Sequence, residues 1–175
     1  MNLFVDPVSW TAWKVAFFAS LVVSGLLARP ILNLLIRFRS RQTVSQHAPE
    51  NHQAKQGTPT MGGIMILVGA LAGLVAVVFQ TFGNLSDAER TLWNRHLGAG
   101  VWVLLGLGLV GFVDDGVIPR VYPGKRGLGW IPKLAMQTVI AGAAGYTLYP
   151  NHGVLIALSA FLILFFCNAY NFSDG

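Results

Sequence analysis

The stretch LGAGVWVLLGLGLVGFVDDG, Leu97 to Gly116, joins a long apolar run to two adjacent carboxylates. The run from Leu97 to Val113 has nearly the length that a membrane-spanning helix needs. Asp114 and Asp115, two of only seven acidic residues in the chain, follow directly. Charges at or inside a bilayer are costly unless they are paired or bind a metal. The pair is therefore either a site for Mg²⁺ and its phosphate ligands or an ordinary polar helix end that faces water.

The composition indicates a membrane protein. Of the 175 residues, 54% are hydrophobic and 11% are charged, and the mean hydropathy is +0.57. A soluble domain carries about 25% charged residues. The net charge of +5 favours cytoplasmic loops and anionic lipid headgroups over nucleic acid, because apolar runs separate the basic residues. The single cysteine, Cys167, excludes an internal disulfide and is expected to serve packing.

Five apolar runs predict an all-α integral membrane protein with five transmembrane helices in one region, 1–175. The predicted spans are residues 13–36, 61–82, 97–113, 131–149 and 153–170. Glycines in these runs predict close helix–helix approach in lipid: Gly62, Gly63, Gly106, Gly108, Gly142 and Gly145.

The basic residues predict the orientation of these spans. Nine of the twelve Lys and Arg lie between Arg29 and Lys55 or between Arg120 and Lys133, so both segments are expected in the cytoplasm. The N-terminus then lies outside and the C-terminus inside. This topology brings Lys55–Gly63, the Asp114–Asp115 pair and residues 171–175 to one cytoplasmic face, where carboxylates and cations suit a divalent metal that bridges phosphates.

Two polar segments on this face have local interpretations as well. Thr58 is expected to cap the second span, with Pro59 at its first helical position. Such a helix start attracts anions, and Lys55 adds a positive charge, but the segment also fits a helix start without further function. Asn and Asp at the chain end form caps and turns in many proteins; here their crowding beside the acidic pair favours binding.

Four segments in this order resemble the phospho-N-acetylmuramoyl-pentapeptide-transferase family (MraY), which belongs to the polyprenyl-phosphate N-acetylhexosamine-1-phosphate transferases. They are APENHQAKQGTPTMGG (residues 48–63), GFVDD (111–115), Gly127-Leu128 with Lys133 beyond it, and NAYNFSDG (168–175). The string TPTMGG is specific to this family, whereas the paired aspartates are shared with its relatives.

The resemblance implies a reaction at a bacterial inner membrane, with the active face in the cytoplasm. Undecaprenyl phosphate attacks UDP-N-acetylmuramoyl-pentapeptide, and lipid I and UMP form with Mg²⁺ in peptidoglycan synthesis. It implies catalytic roles for Asp114 and Asp115, with Asp114 the preferred base. It further implies the metal ligands Asp115, Asp114 and Asp174, and the substrate-binding residues Lys55, Thr60, Lys133, Asn171 and Asp174. Whether the chain forms a homodimer stays open.

Two departures limit the resemblance. The family commonly has a lysine shortly after the acidic pair. In this chain the first basic residue after the pair is Arg120, which is displaced, so the role of that lysine is not transferred to it. The chain resembles the first half of the family's membrane fold, and the missing half is expected to hold a further metal-binding aspartate and a histidine-rich loop. The chain alone is therefore expected to be inactive. The alternatives are a transferase that uses UDP-N-acetylglucosamine and a non-catalytic membrane protein.

Overall fold

The computed structural model describes residues 10–37, 62–122, 125 and 127–173; the regular secondary structure of this part of the chain is all helical, without β-strands. The elements are α1 (Trp10–Arg37), α2 (Gly63–Thr81), a 3₁₀ turn (Phe82–Asn84), α3 (Asp87–Phe112), a π-helical turn (Val113–Val117), α4 (Ile118–Val121), α5 (Trp130–Leu148) and α6 (Gly153–Ser173). The predicted all-α class is confirmed.

Each predicted span coincides with a long helix. Among the described residues, three helices are long and apolar enough to cross a membrane: Thr11–Arg37, Gly63–Thr81 and Asp87–Val121. A shorter apolar stretch, Gly153–Ala169, lies in α6. Large apolar side chains such as Leu26, Phe79 and Val154 are more than 70% exposed, as expected when lipid replaces water around a helix. The protein is a multi-pass membrane protein, while the five-span count and the orientation stay predictions.

α3 begins ten residues before the predicted run because polar residues cap its N-terminus. The Glu89 carboxylate accepts hydrogen bonds from the backbone N–H of Ser86 (2.8 Å) and from the Ser86 hydroxyl (2.5 Å). A carboxylate that reaches back to the N-cap satisfies a donor that the helix leaves free, and the negative charges of Asp87 and Glu89 suit the positive end of the helix dipole. Hydropathy alone did not reveal this start.

The chain divides into two compact units, Met1–Arg90 and Thr91–Gly175. In the first unit, α1 and α2 meet through small residues. The space that a Cβ at Gly69 would fill is taken by the Ser24 hydroxyl, which also donates to the carbonyl of Met65. One turn along α2, a Cβ at Gly73 would lie 3.1 Å from the carbonyl oxygen of Ala16. The two backbones approach closely because no side chain separates them.

The second unit contains the α5–α6 hairpin. Its turn places Pro150 before Asn151, whose φ of +89° fits the third position of a type II turn. Next to the turn, a Cβ at Gly145 of α5 would lie 2.8 Å from the carbonyl oxygen of Ile156 of α6. Elsewhere on α5, the carbonyl of Ile140 accepts a hydrogen bond of 3.1 Å from the Trp102 indole of α3.

The glycine predictions were right in part. Close approach is confirmed for Gly145 and for Gly106, which lies against the Ile140 side chain. It is wrong for Gly62, Gly63 and Gly142: nothing in the described part of the chain lies within 4 Å of a Cβ built at these positions. These three glycines face away from the helix contacts, and hydropathy does not encode which face of a helix meets a neighbour.

Candidate functional site

Both carboxylates of the acidic pair lie in the π-helical turn Val113–Val117, between α3 and α4. A π turn inserts one residue into a helix and widens it locally, and such turns occur frequently at functional sites. The two side chains have different environments, since Asp114 is only 13% exposed whereas Asp115 is exposed. The pair therefore supplies one partly buried carboxylate and one that is open to solutes.

Each carboxylate oxygen of Asp114 accepts a short hydrogen bond. The ammonium of Lys133 donates to Oδ2 at 2.7 Å, and the backbone N–H of Leu128 donates to Oδ1 at 2.6 Å. The Lys133 side chain is 22% exposed, so both charges are largely withdrawn from solvent. Charge-assisted bonds of this length are about twice as strong as neutral ones. Asp114 thus connects the π turn to the loop before α5 and to the first turn of that helix.

Gly127 allows this connection. Its φ is +156°, in a region of backbone conformation that residues other than glycine rarely adopt. A Cβ at this position would overlap Oδ1 of Asp114, the atom that accepts the Leu128 N–H. A side chain here would therefore push the loop away from the carboxylate.

Lys133 is placed by the start of α5. The helix begins at Trp130 after an extended Gly129, and the Lys133 N–H closes the first turn onto the Gly129 carbonyl at 3.2 Å. Pro132 fits this turn because the first helical N–H groups need no intrahelical acceptor. A rigid helix end therefore holds the lysine that neutralises Asp114.

An open cleft of about 430 Å³ lies beside this cluster and is lined by Asp114, Lys125, Gly127, Leu128 and Gly129. The Lys125 ammonium is exposed and lies 5.1 Å from the centre of the Tyr122 ring. An exposed cation at the edge of a glycine-lined cleft can receive an anionic group such as phosphate.

The donor set fits magnesium in one specific way. In the described part of the chain, no group of three or more His, Cys, Asp or Glu could hold a metal ion. Mg²⁺ usually takes one or two carboxylates and fills its other positions with waters and substrate phosphates. Asp115, which is exposed, and the adjacent Asp114 fit that pattern, so the ion would arrive with its phosphate ligand.

Comparison with known proteins agrees with the resemblance found in the sequence. The family model described as phospho-N-acetylmuramoyl-pentapeptide-transferase signature 1 matches residues 55–67. A protein of that name from Thermobifida fusca is 38% identical over 75% of the chain and 36% of its own length. Two others, from Lactobacillus acidophilus and Lactobacillus helveticus, are 33% and 35% identical over 92% and 89% of the chain and over 52% of their own lengths.

The chain belongs to the phospho-N-acetylmuramoyl-pentapeptide-transferase family. It spans about half the length of the two Lactobacillus relatives. No solved structure matches it. The predicted family and its transferase class are confirmed, whereas the roles of single residues stay predictions.

The structure brings together three of the site residues that the family resemblance implied. Asp114 and Lys133 are in direct contact, and Asp115 adjoins Asp114 in the π turn. Asn171 lies in the last turn of α6, where the backbone is described. Lys55, Thr60 and Asp174 lie outside the described residues, as do Thr58 and Pro59.

Two hydrogen-bonding groups near the candidate site were not predicted from the sequence: the Leu128 N–H and the Gln137 side chain. The Leu128 N–H is a backbone donor and leaves no signal in residue type. Gln137, one turn beyond Lys133, did leave a signal, because an amide in the apolar run of α5 needs a hydrogen-bonding partner. It is 4% exposed and contacts α6.

Proposed function

We propose that this chain forms part of a membrane transferase that moves phospho-N-acetylmuramoyl-pentapeptide from its UDP-activated form to undecaprenyl phosphate, giving lipid I and UMP. The observation that carries the proposal is the Asp114 carboxylate, shared between Lys133 and the Leu128 N–H beside an exposed Asp115. This arrangement keeps a cation and a carboxylate next to a glycine-lined cleft. A cation can bind phosphate, and a carboxylate can bind a metal or accept a proton. Family membership supplies the substrate class.

The reaction exchanges one diphosphate (phosphoanhydride) bond for another. An oxygen of the lipid phosphate attacks the phosphorus attached to the sugar, a new P–O bond forms, and the bond to the UMP phosphate breaks. Bound Mg²⁺, held by Asp115 with help from Asp114, would neutralise the diphosphate and stabilise departing UMP.

Lys133 has a second role in this proposal. When the diphosphate enters, the ammonium turns from Asp114 to the substrate phosphates, where it stabilises negative charge. Oδ2 of Asp114 is then free to accept the proton of the lipid phosphate, while the Leu128 N–H still orients the carboxylate through Oδ1. Asp114 thus acts as the base only after the substrate has displaced its lysine partner.

The remaining assignments belong to the same proposal. Lys55, Thr60, Asn171 and Asp174 bind the nucleotide sugar, and Asp174 contributes to the metal site. The basic residues of the sequence support a cytoplasmic location of this face. The lipid substrate would reach it from the adjoining leaflet.

The proposal is tested by joining the chain at Gly175 to the part of the Thermobifida fusca relative beyond the matched region. The chimera in nanodiscs with undecaprenyl phosphate and Mg²⁺ is assayed for UMP release from UDP-N-acetylmuramoyl-pentapeptide and, separately, from UDP-N-acetylglucosamine. We expect release from the first substrate, and none from the 175-residue chain alone. Release from UDP-N-acetylglucosamine alone would favour the related transferase, and release from neither substrate would refute the transferase proposal.

A further inference from the structure

Gln137 forms a buried polar bridge between α5 and α6. Its side-chain oxygen accepts a hydrogen bond of 3.2 Å from the Asn168 amide, and its own amide donates to the Cys167 sulfur at 3.5 Å. Asn168 also donates to the carbonyl of Leu164 at 2.8 Å. Gln137 is 4% exposed, so the bridge is shielded from competing water and from lipid.

The bridge closes the open end of the hairpin. The other end is held by the turn around Asn151 and by the close approach of Gly145 to Ile156. Gln137 lies about 18 Å along α5 from that turn, at 1.5 Å per residue. The amide pair thus joins the two helices near the ends that lie farthest from the turn.

The bridge also sets which residues of α5 and α6 lie at the same height, that is, at the same position along the axis of the hairpin. Because α5 and α6 are antiparallel and Gln137 meets Asn168, a step back along α5 matches a step forward along α6. One turn from the bridge, Lys133 on α5 is level with Asn171 and Phe172 at the end of α6. The lysine that neutralises Asp114 is thereby held beside the last turn of α6.

We propose that Gln137 is a positioning residue that fixes the height of Lys133, and through it of Asp114, relative to the end of α6. This role rests on the proposed function, in which Lys133 and Asn171 bind one substrate. Hydrogen bonds between membrane helices contribute little stability on average, and leucine would suit the apolar surroundings of α5. What the amide pair adds is a directional bond that one helix register satisfies.

The structural part of the proposal is tested by hydrogen exchange and mass spectrometry on the whole chain in nanodiscs. In Gln137→Leu, we expect the amides of residues 164–169 to exchange about 3- to 20-fold faster, the range that loss of one such bond gives. Amides near Gly145 should not change. Gln80→Leu, the same substitution at an exposed amide of α2, and Ile140→Val, which trims the buried face of α5, should leave residues 164–169 unchanged. Unchanged exchange in Gln137→Leu, or equal acceleration in Ile140→Val, would overturn the proposal.

Rescue separates positioning from general stabilisation. Gln137→Asn shortens the side chain and should accelerate exchange as Gln137→Leu does. Gln137→Asn combined with Asn168→Gln restores the total length of the pair and should return the exchange rate to within about twofold of that in the unaltered chain. A double variant that exchanges as fast as Gln137→Asn would contradict a specific amide bridge.

Binding of UDP-N-acetylmuramoyl-pentapeptide by the chimera described above, made with each of these variants, connects the bridge to function. We expect Gln137→Leu to lower the affinity at least tenfold at a temperature where it is fully folded, and Gln80→Leu to leave it unchanged. Equal affinity in Gln137→Leu and the unaltered chain would refute the positioning role. If the chimera that carries the unaltered chain does not bind the nucleotide sugar, the proposed function fails together with the positioning role, and the exchange data still decide whether the bridge exists.

Discussion

Breaking the ion pair between Lys133 and Asp114 should destabilise the second unit measurably. Exposed ion pairs contribute about 0–1 kcal/mol, whereas removal of one partner of a fully buried pair costs about 3–5 kcal/mol. With side chains 22% and 13% exposed and an N–O distance of 2.7 Å, this pair lies between the two cases. We therefore expect a coupling free energy of about 1–3 kcal/mol.

A double-mutant cycle measures that coupling. Lys133→Met, Asp114→Asn and the double variant are unfolded with SDS in mixed micelles, and the free energies of unfolding are compared with that of the unaltered chain. The matched control is Lys125→Met, which removes an exposed lysine whose ammonium contacts the Tyr122 ring. The control should lose at most about 1 kcal/mol, the range for an exposed cation–π contact, and its coupling to Asp114 should be below about 0.5 kcal/mol.

Two results would refute this reasoning. A coupling below about 0.5 kcal/mol between Lys133 and Asp114 would mean that solvent screens the pair as it screens a surface pair. A coupling of the same size between Lys125 and Asp114 would mean that the general positive charge of the loop, and not the contact with Lys133, stabilises the carboxylate.

Three further substitutions test the contacts that build the two units. Gly127→Ala should cost about 1–3 kcal/mol in SDS unfolding through backbone strain and displacement of the loop. Gly129→Ala, whose Cβ would touch only Pro132 among the described residues, should cost about 1 kcal/mol or less; equal losses would contradict the overlap with Asp114. Gly69→Ala should destabilise the α1–α2 pair, seen as a lower SDS midpoint, and Gly25→Ala, in open space on α1, should leave the midpoint unchanged or raise it. Ser86→Ala should lower the stability of the α3 start by about 1 kcal/mol, detectable as faster hydrogen exchange at residues 87–90; unchanged exchange there would show that Glu89 caps the helix without the hydroxyl.

The positions of the long helices could be predicted from the sequence because apolar runs of membrane length leave few other structures. The residues at which the helices begin and end were harder to predict. Ser86 and Glu89 extend α3 well before its apolar run, since a cap depends on a few polar atoms and not on average hydropathy. Which glycines meet a neighbour also depends on the mutual rotation of two helices, and for this reason Gly69 was missed.

The structure places Asp114, Asp115 and Lys133 together, but the sequence did not indicate the geometry of this cluster. The family resemblance implied roles in phosphate chemistry for Asp114, Asp115 and Lys133. The sequence did not indicate that a π turn would give the two aspartates different exposure, because residue types alone do not distinguish a π turn from an α-helical turn. Nor did it show that Gly127 brings a backbone N–H to Asp114, since that contact depends on how a loop folds back over the turn.

The most direct test of the central claim is Mg²⁺-dependent transfer of labelled phospho-N-acetylmuramoyl-pentapeptide to undecaprenyl phosphate by the chimera. We expect lipid-linked product with Mg²⁺, none after chelation, and at least a 100-fold lower rate in Asp115→Asn, as removal of one electrostatic group from an active site costs. Asp87→Asn, at the opposite end of the long α3 helix, should retain the rate. Equal product with and without Mg²⁺, or a full rate in Asp115→Asn, would contradict the assignment of this acidic pair to metal-assisted phosphate transfer.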